Sequence, residues 1–287
     1  MKQIFIIFSF LFLVHGYLRR KCKQYDETLA KEYWCYNTVA YCSPAKLQTW
    51  DVSEVSRLYP GVTDIHIYQN QQTDNLAYLA YNPSTTTIFL SFRGTLLFSY
   101  KNWVKQNFNF FQTTFDDCAD CKVHRGFLDA YKNLDTTTMM NDLKSLKGKY
   151  PDAKVVITGH SLGGAMANFG FLDACNAVEK VNLLITFGSP RVGDSKFVSH
   201  MQNKKCGGAE KIRVVNNRDP VPHVPLKSMG FQHGQSEIFY KKGALKYNYC
   251  QDTESNDCSD SLYLDVEISD HLGYLGFSQA TQKDSCQ

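Results

Sequence analysis

The apolar positions between residues 64 and 92 have the spacing of β-strands. Ile65 and Ile67 alternate with polar residues, and continuous apolar runs follow at 76–81 and 87–92. Short runs of this kind, bounded by turn residues, predict strands. Continuous apolar composition further predicts a sheet that is covered on both faces.

Helices and strands are predicted to alternate along the rest of the chain. Helical spacing of the apolar positions covers 28–43, 126–149 and 162–178, and short apolar runs that predict strands cover 155–158, 183–187, 211–215 and 262–268. This order favours a mainly parallel sheet with right-handed crossovers and flanking helices. Because no repeat, low-complexity stretch or linker divides the chain, we expect one α/β domain.

The first residues have the pattern of a cleavable secretory signal. Lys2 precedes an apolar run over 4–14, which ends in the small-residue exit Val14-His15-Gly16. The run is too short to cross about 30 Å of hydrocarbon, and no later run is longer. We therefore expect a signal peptide over 1–16 and a secreted, extracellular domain over 17–287, with no transmembrane segment.

Charge and cysteine content agree with an exported protein rather than a nucleic-acid binder. The 287 residues carry a net charge of +3, and their Lys and Arg residues form no basic stripe. The ten cysteines all follow residue 16, and an even number in an exported chain favours disulfides. Cys250 and Cys258 are expected to pair across a polar loop.

Two other cysteine pairs leave alternatives open. Cys118-Ala-Asp-Cys121 has the spacing of half a zinc site, but no second pair has matching spacing, so a disulfide is favoured. Cys22 and Cys286 lie at the two ends of the chain, which a single-domain fold often brings together.

The segment over 155–164 predicts a nucleophile. A short apolar strand leads into Gly159-His160-Ser161-Leu162-Gly163, and a predicted helix follows. This is the Gly-x-Ser-x-Gly pattern in the strand–turn–helix context of a nucleophile elbow, in which the serine hydroxyl is exposed at the end of a strand. The flanking glycines leave room for the tight turn. Ser161 is therefore the predicted nucleophile.

A serine nucleophile needs a histidine base and an orienting carboxylate. In proteins with a nucleophile elbow, the carboxylate and then the histidine follow the serine in the chain. Asp219 follows the strand over 211–215 in a proline-rich loop and is the predicted acid. Asp194 is the second candidate for the acid, although a loop-capping role is favoured for it. His271 follows the predicted strand over 262–268 and is the predicted base.

The oxyanion hole of such a site needs two backbone N–H groups. One belongs to the residue after the nucleophile, here Leu162, and the other to a loop after an earlier central strand. Ser91-Phe-Arg-Gly-Thr95 leaves such a strand and would place the Thr95 N–H there, but on these residues alone an ordinary turn is the alternative.

These segments together resemble the class 3 lipases, the filamentous-fungal type of triacylglycerol lipase with an α/β-hydrolase fold. The resemblance covers nearly the whole mature chain from about residue 28. It rests on Ser91–Thr95, Lys122–Tyr131, Val156–Gly164 and Thr186–Asp194, in that order, and on the Asp219 loop and the Asp270-His271 ending.

The resemblance implies a site and a lid. It implies that Ser161, Asp219 and His271 form a catalytic triad, with Thr95 and Leu162 at the oxyanion hole. It also implies a short helical lid over 96–104, whose apolar residues Leu97, Phe98 and Trp103 would contact lipid.

The function that follows is a secreted carboxylester hydrolase, with triacylglycerol lipase as the leading prediction. It would be a monomer that meets its lipid or ester substrate at an oil–water interface and uses no metal or organic cofactor. Phospholipase A1 or another esterase activity remains open, because the triad specifies an ester and says little about the alcohol. A catalytically silent lipid-binding protein is the alternative of another class.

Overall fold

The computed structural model describes residues 25–95, 111–242, 246–262, 265–279, 282 and 285–286. The helices are α1 (Glu27–Val39), α2 (Pro44–Gln48), α3 (Glu54–Leu58), α4 (Arg125–Lys132), α5 (Thr136–Lys149), α6 (Leu162–Ala177) and α7 (Ser195–Asn203). The strands are β1 (Thr63–Asn70), β2 (Asn75–Asn82), β3 (Thr87–Phe92), β4 (Gln112–Phe115), β5 (Cys118–His124), β6 (Lys154–His160), β7 (Leu183–Phe187), β8 (Glu210–Asn216), β9 (Ser236–Tyr240), β10 (Asn248–Cys250), β11 (Gly273–Tyr274) and β12 (Phe277–Ser278).

An eight-stranded sheet forms the centre of the molecule, in the order β1-β2-β3-β6-β7-β8-β9-β10. The five central strands β3, β6, β7, β8 and β9 are parallel. The strands at the two edges pair antiparallel with their neighbours. Parallel strands point their carboxyl ends at one edge, so the loops after β3, β6, β7 and β8 meet there. The predicted, mainly parallel α/β sheet is confirmed.

Both faces of the sheet are covered, as the continuous apolar strands predict. All residues of β2 and β3 are buried, and successive residues contribute to opposite sides. Leu79 and Leu90 belong to the apolar cluster that includes α5 and α6, whereas Tyr78 and Phe89 belong to the cluster that includes α1. Alternation of side chains across a strand therefore builds two core layers.

Two predicted elements differ from the structure. The helix predicted over 126–149 is two helices, because the Asp135 side chain accepts the N–H of Thr138 at 3.0 Å and begins α5. The described part of the strand predicted over 262–268 forms no strand: Val266 and Ile268 are exposed, by 51% and 42%. Leu262 packs against a small apolar cluster, whereas the apolar side chains of Val266 and Ile268 face outward.

Disulfides join Cys42 to Cys286, Cys118 to Cys121, Cys175 to Cys206 and Cys250 to Cys258. The predicted 118–121 and 250–258 pairs are confirmed. The pairing of the two chain ends through Cys22 is wrong, since Cys286 bonds to Cys42 at the end of the first helical segment. Among the described cysteines, Cys35 is the free thiol, buried in α1.

Candidate active site

Ser161 occupies a tight turn between β6 and α6. Its backbone angles are φ 58° and ψ −127°, a region that residues with a side chain rarely adopt. The Ser161 N–H donates to the carbonyl of Phe187 at 3.0 Å, which ties the turn to the neighbouring strand β7. A Cβ on Gly159 would collide with the backbone of Gly163, and a Cβ on Gly163 would collide with the Phe92 carbonyl, so the turn needs both glycines. The result is a serine at the carboxyl edge of the sheet, at the start of a helix.

His271 and Asp219 form a buried hydrogen-bonded pair. The His271 Nδ1 lies 3.0 and 2.9 Å from the two carboxylate oxygens of Asp219, and both side chains are almost fully buried. A carboxylate only accepts, so Nδ1 is the donor and Nε2 of the neutral ring is free of a proton. This tautomer can take a proton from a hydroxyl.

The Asp219 carboxylate has further donors. The Val221 N–H donates to one oxygen at 2.8 Å, and the Tyr274 hydroxyl donates to the other. Burial alone would raise the pKa of Asp219. The charge and hydrogen bond of His271, together with Tyr274 and Val221, outweigh burial and lower this pKa below its usual value. The carboxylate is therefore held ionised.

The backbone on both sides of His271 is held by two polar side chains. His160 Nε2 donates to the His271 carbonyl at 2.9 Å. Asn216, the last residue of β8, donates its amide to the carbonyls of Asp270 and Gly273, at 3.1 and 2.8 Å. The short 3₁₀ turn Ile268–His271 is thereby attached to β6 and β8.

His160 is itself fixed in one tautomer. Because Nε2 donates to a carbonyl, Nδ1 must accept, and the Tyr41 hydroxyl lies 2.8 Å from it. Burial, together with the neighbouring His271, lowers the pKa of His160 to about 3. Its ring packs against that of Trp34, with centroids 5.1 Å apart. The residue before Ser161 is thus a neutral histidine that is hydrogen-bonded at both ring nitrogens.

The loop after β3 approaches the serine turn. A Cβ on Gly94 would lie 2.9 Å from Ser161 Cβ, so only glycine fits where the two loops touch. Thr95 lines a small cavity together with Tyr41, His160, Ile268, His271, Leu272 and Gln279. Its Oγ1 is buried and makes no hydrogen bond with the described residues. Leu162 is the first residue of α6, where N–H groups lack intrahelical acceptors.

The structure thus brings the predicted residues Ser161, Thr95, Leu162, Asp219 and His271 to one edge of the sheet. Asp194 instead accepts the Phe197 N–H at 2.9 Å and caps α7. The predicted lid residues Leu97, Phe98 and Trp103 lie outside the described residues.

Sequence reasoning missed the supports of the histidine and the acid. Tyr274, Asn216 and Tyr41 belong to no catalytic motif, and only their contacts in the fold reveal them. For His160 the sequence did offer a signal, because this residue lies inside the Gly-x-Ser-x-Gly motif.

The fold and this edge define the class of protein. A mostly parallel sheet with a serine at a strand-to-helix elbow, followed in the chain by an acid and a histidine that bond to each other, is an α/β-hydrolase. A family model described as lipase (class 3) matches residues 89–229.

Individual relatives agree with the family model. The chain is 34% identical to a lipase of Rhizomucor miehei over 239 residues, 80% of this chain and 63% of that protein. It is 36% identical to secreted mono- and diacylglycerol lipase 1 of Fusarium solani over 176 residues, 60% of this chain and 50% of that protein. The chain thus spans less than two thirds of the length of these curated relatives.

Solved structures of similar proteins cover more of the fold. The lipase from Rhizopus microsporus var. chinensis superposes with a TM-score of 0.81 at 28% identity, over 89% of each chain. The triacylglyceride lipase of Rhizomucor miehei gives a TM-score of 0.80 at 28% identity, over 90% of this chain and 98% of that chain. The chain belongs to the class 3 lipase family.

Proposed function

We propose that the protein is a secreted carboxylester hydrolase that acts on acylglycerols through Ser161, His271 and Asp219. The observation that carries this proposal is the His271–Asp219 hydrogen bond at the sheet edge that also holds the Ser161 turn. It is the arrangement that activates a serine hydroxyl, which is otherwise a weak nucleophile.

The first half-reaction transfers the acyl group to the enzyme. Ser161 Oγ attacks the ester carbonyl carbon while His271 Nε2 takes the hydroxyl proton. The oxyanion that forms accepts hydrogen bonds from the N–H groups of Thr95 and Leu162, and the Thr95 hydroxyl adds a third donor. When the intermediate collapses, the alcohol leaves with the proton that His271 returns.

The second half-reaction releases the acid. Water attacks the acyl-enzyme and gives its proton to His271, and collapse of the second intermediate returns this proton to Ser161 Oγ. Asp219 stays ionised and stabilises the imidazolium in both halves, in agreement with its lowered pKa.

The choice of acylglycerols is supported by the relatives. One similar structure, 29% identical with a TM-score of 0.80, was described as a triacylglycerol lipase whose catalytic centre is a serine protease triad. The relative from Fusarium solani is named a secreted mono- and diacylglycerol lipase. Export agrees with the disulfides of the described chain. None of the described helices is long and apolar enough to cross a membrane.

The test compares the unmodified protein with Ser161→Ala. We expect fluorophosphonate to label the unmodified protein and not the variant, and expect the variant to lose ester hydrolysis while its circular dichroism spectrum is kept. A panel of triglyceride, diglyceride, phospholipid and short soluble esters identifies the substrate class. Labelling of Ser161→Ala at the original rate contradicts the nucleophile assignment. An unmodified protein that binds lipid without hydrolysing any ester contradicts the enzyme.

A further inference from the structure

The loop that carries the acid cannot satisfy its own carbonyl groups. Three of the seven residues in Asp219-Pro-Val-Pro-His-Val-Pro225 are prolines, which have no N–H. The N–H groups of Val221, His223 and Val224 are used inside the loop, on Asp219 Oδ1 and on the carbonyls of residues 220 and 221. Since the loop is largely buried, the carbonyls of residues 222–225 need donors from other elements.

Arg191 supplies most of those donors. It lies in the loop between β7 and α7 and is 1% exposed. Its backbone N–H donates to the Val224 carbonyl at 2.9 Å. Its Nη1 donates to the carbonyls of His223 and Pro225, at 2.7 and 3.1 Å. One residue therefore holds three consecutive carbonyls of the acid loop.

His233 holds the fourth carbonyl. Its Nε2 donates to the Pro222 carbonyl at 2.8 Å, which fixes Nδ1 as the unprotonated nitrogen of the neutral ring. Burial lowers the pKa of His233 well below its usual value, and the charges of Arg213 and Arg191 lower it further. This donor is therefore permanent at neutral pH.

The other edge of the Arg191 guanidinium is held by carboxylates. Its Nε and Nη2 donate to the two oxygens of Glu254, at 3.0 and 2.9 Å, and Nη2 lies 3.4 Å from Asp260. Glu254 also accepts the His233 N–H at 2.8 Å. Glu254 lies inside the loop closed by the Cys250–Cys258 disulfide, so this disulfide-closed loop provides the counter-ion of Arg191.

From these contacts we infer that Arg191 is a positioning residue for Asp219, acting through the carbonyls of the proline-rich loop and anchored by Glu254. The inference rests on the proposed function, in which Asp219 orients the base. Arg191 lies against the same loop that donates the Val221 N–H to the Asp219 carboxylate. Release of residues 222–225 would shift this donor and the carboxylate together.

Arginine is the side chain that this position requires. A guanidinium is planar and offers donors in several fixed directions, so it can bond carbonyls on one edge and a carboxylate on the other. A lysine ammonium is a point charge with three donors and cannot span both edges. Arg191→Lys therefore keeps the buried charge and removes the bridge.

Arg213 offers a matched control. It is also a buried arginine, 2% exposed, and its Nη2 donates to Glu237 and to the Thr253 carbonyl in the same disulfide-closed loop, both at 2.7 Å. These bonds do not reach the carbonyls of residues 222–225. Arg213→Lys thus tests whether any loss comes merely from loosening a buried ion pair.

The experiment measures kcat and KM on a short soluble ester, per active site titrated with phosphonate. We expect Arg191→Lys to lower kcat about 100-fold with little change in KM, the scale reported for a small misplacement of catalytic groups. Arg213→Lys should keep its kcat. Glu254→Gln, which preserves size while removing the charge, should show a smaller loss of kcat in the same direction and serves if Arg191→Lys does not fold.

A second readout requires no turnover. The downfield proton resonance of His271 Nδ1–H reports the bond to Asp219, and we expect it to broaden or shift in Arg191→Lys but not in Arg213→Lys. An Arg191→Lys protein with unchanged kcat and resonance, or an equal loss in Arg213→Lys, overturns the inference. Failure of the unmodified protein to hydrolyse esters contradicts the proposed function instead, and the resonance still decides the role of Arg191.

Discussion

At the scale of single residues, Ser161 shows why backbone conformation alone does not define a nucleophile. Ser53 has nearly the same angles, φ 56° and ψ −128°, at the start of α3. Its hydroxyl donates to the Ser285 carbonyl at 2.6 Å. Such conformations cost about 1–3 kcal/mol. The Ser161 turn instead lies at the carboxyl edge of the sheet, where His271 and Asp219 bond to each other, and this setting supports its proposed role.

The acid can be assigned by comparing two aspartates. We expect Asp219→Asn to lower kcat by about 10⁴-fold, the loss known for a triad acid that can no longer fix the histidine tautomer. Asp194→Asn is the control, because asparagine caps a helix as well as aspartate does and Asp194 caps α7. Activity per titrated site checks both variants. Equal losses in two well-folded variants would show that the acid is misassigned.

At the scale of elements, β8 and its continuation organise the site. Its last residue, Asn216, holds the turn that carries His271, and three residues later Asp219 bonds the histidine ring. The loop beyond is fixed by Arg191. One strand end therefore positions both partners of the serine, each with help from a residue remote in sequence.

The lid that the resemblance implies over 96–104 is the second element that can be tested. We predict that its apolar residues Leu97, Phe98 and Trp103 cover the site in water and contact lipid when the lid is open. Burying two such side chains contributes about 3–6 kcal/mol, enough to shift an open population many-fold. We expect activity on an insoluble ester to rise sharply at its solubility limit, and expect Phe98→Ser with Trp103→Ser to flatten this rise.

Hydrolysis of a small dissolved ester should survive the lid substitutions. Leu58→Ser is the control, since Leu58 is an exposed apolar residue on α3. A smooth saturation curve for the unmodified protein, with no step at the solubility limit, would contradict a functional lid and favour a soluble-ester hydrolase.

At the scale of the whole molecule, the Cys42–Cys286 disulfide ties together residues 244 positions apart. Long closed loops lose the most entropy in the unfolded chain, so Cys42→Ser with Cys286→Ser should lower the free energy of unfolding by about 2–5 kcal/mol. Cys118→Ser with Cys121→Ser opens only a three-residue separation and should cost less. Urea unfolding compares them, and an equal loss in both would contradict the loop argument.

Buried histidines make the fold sensitive to acid. Burial lowers the pKa of His160 to about 3 and that of His124 to about 4. Below about pH 6.5 these two histidines are therefore protonated in the unfolded chain and remain neutral in the folded protein. The free energy of unfolding should fall as pH drops through this window, by up to about 1.4 kcal/mol per pH unit for each histidine.

Urea unfolding between about pH 7 and about pH 5 measures this loss of stability. His160→Gln does not titrate at this position and should show a shallower slope over the same range. A free energy of unfolding that stays constant with pH would show that these histidines have the same pKa in the folded and unfolded states.

The sequence by itself determined much of the order of the central strands and helices and the form of the serine turn. Both are local: strand and helix periods need only neighbouring residues, and the elbow needs only two glycines around Ser161. The proline-rich loop with Asp219 was also identifiable, because prolines restrict the backbone wherever they stand.

Only the tertiary structure decided what supports those groups. Tyr274, Asn216 and Arg191 act through hydrogen bonds to residues brought together by the sheet edge, and such contacts have no sequence period. The outward position of Val266 and Ile268 is another case. Alternation shows that a segment has an apolar side, but whether that side meets the core or solvent depends on what the rest of the chain places beside it.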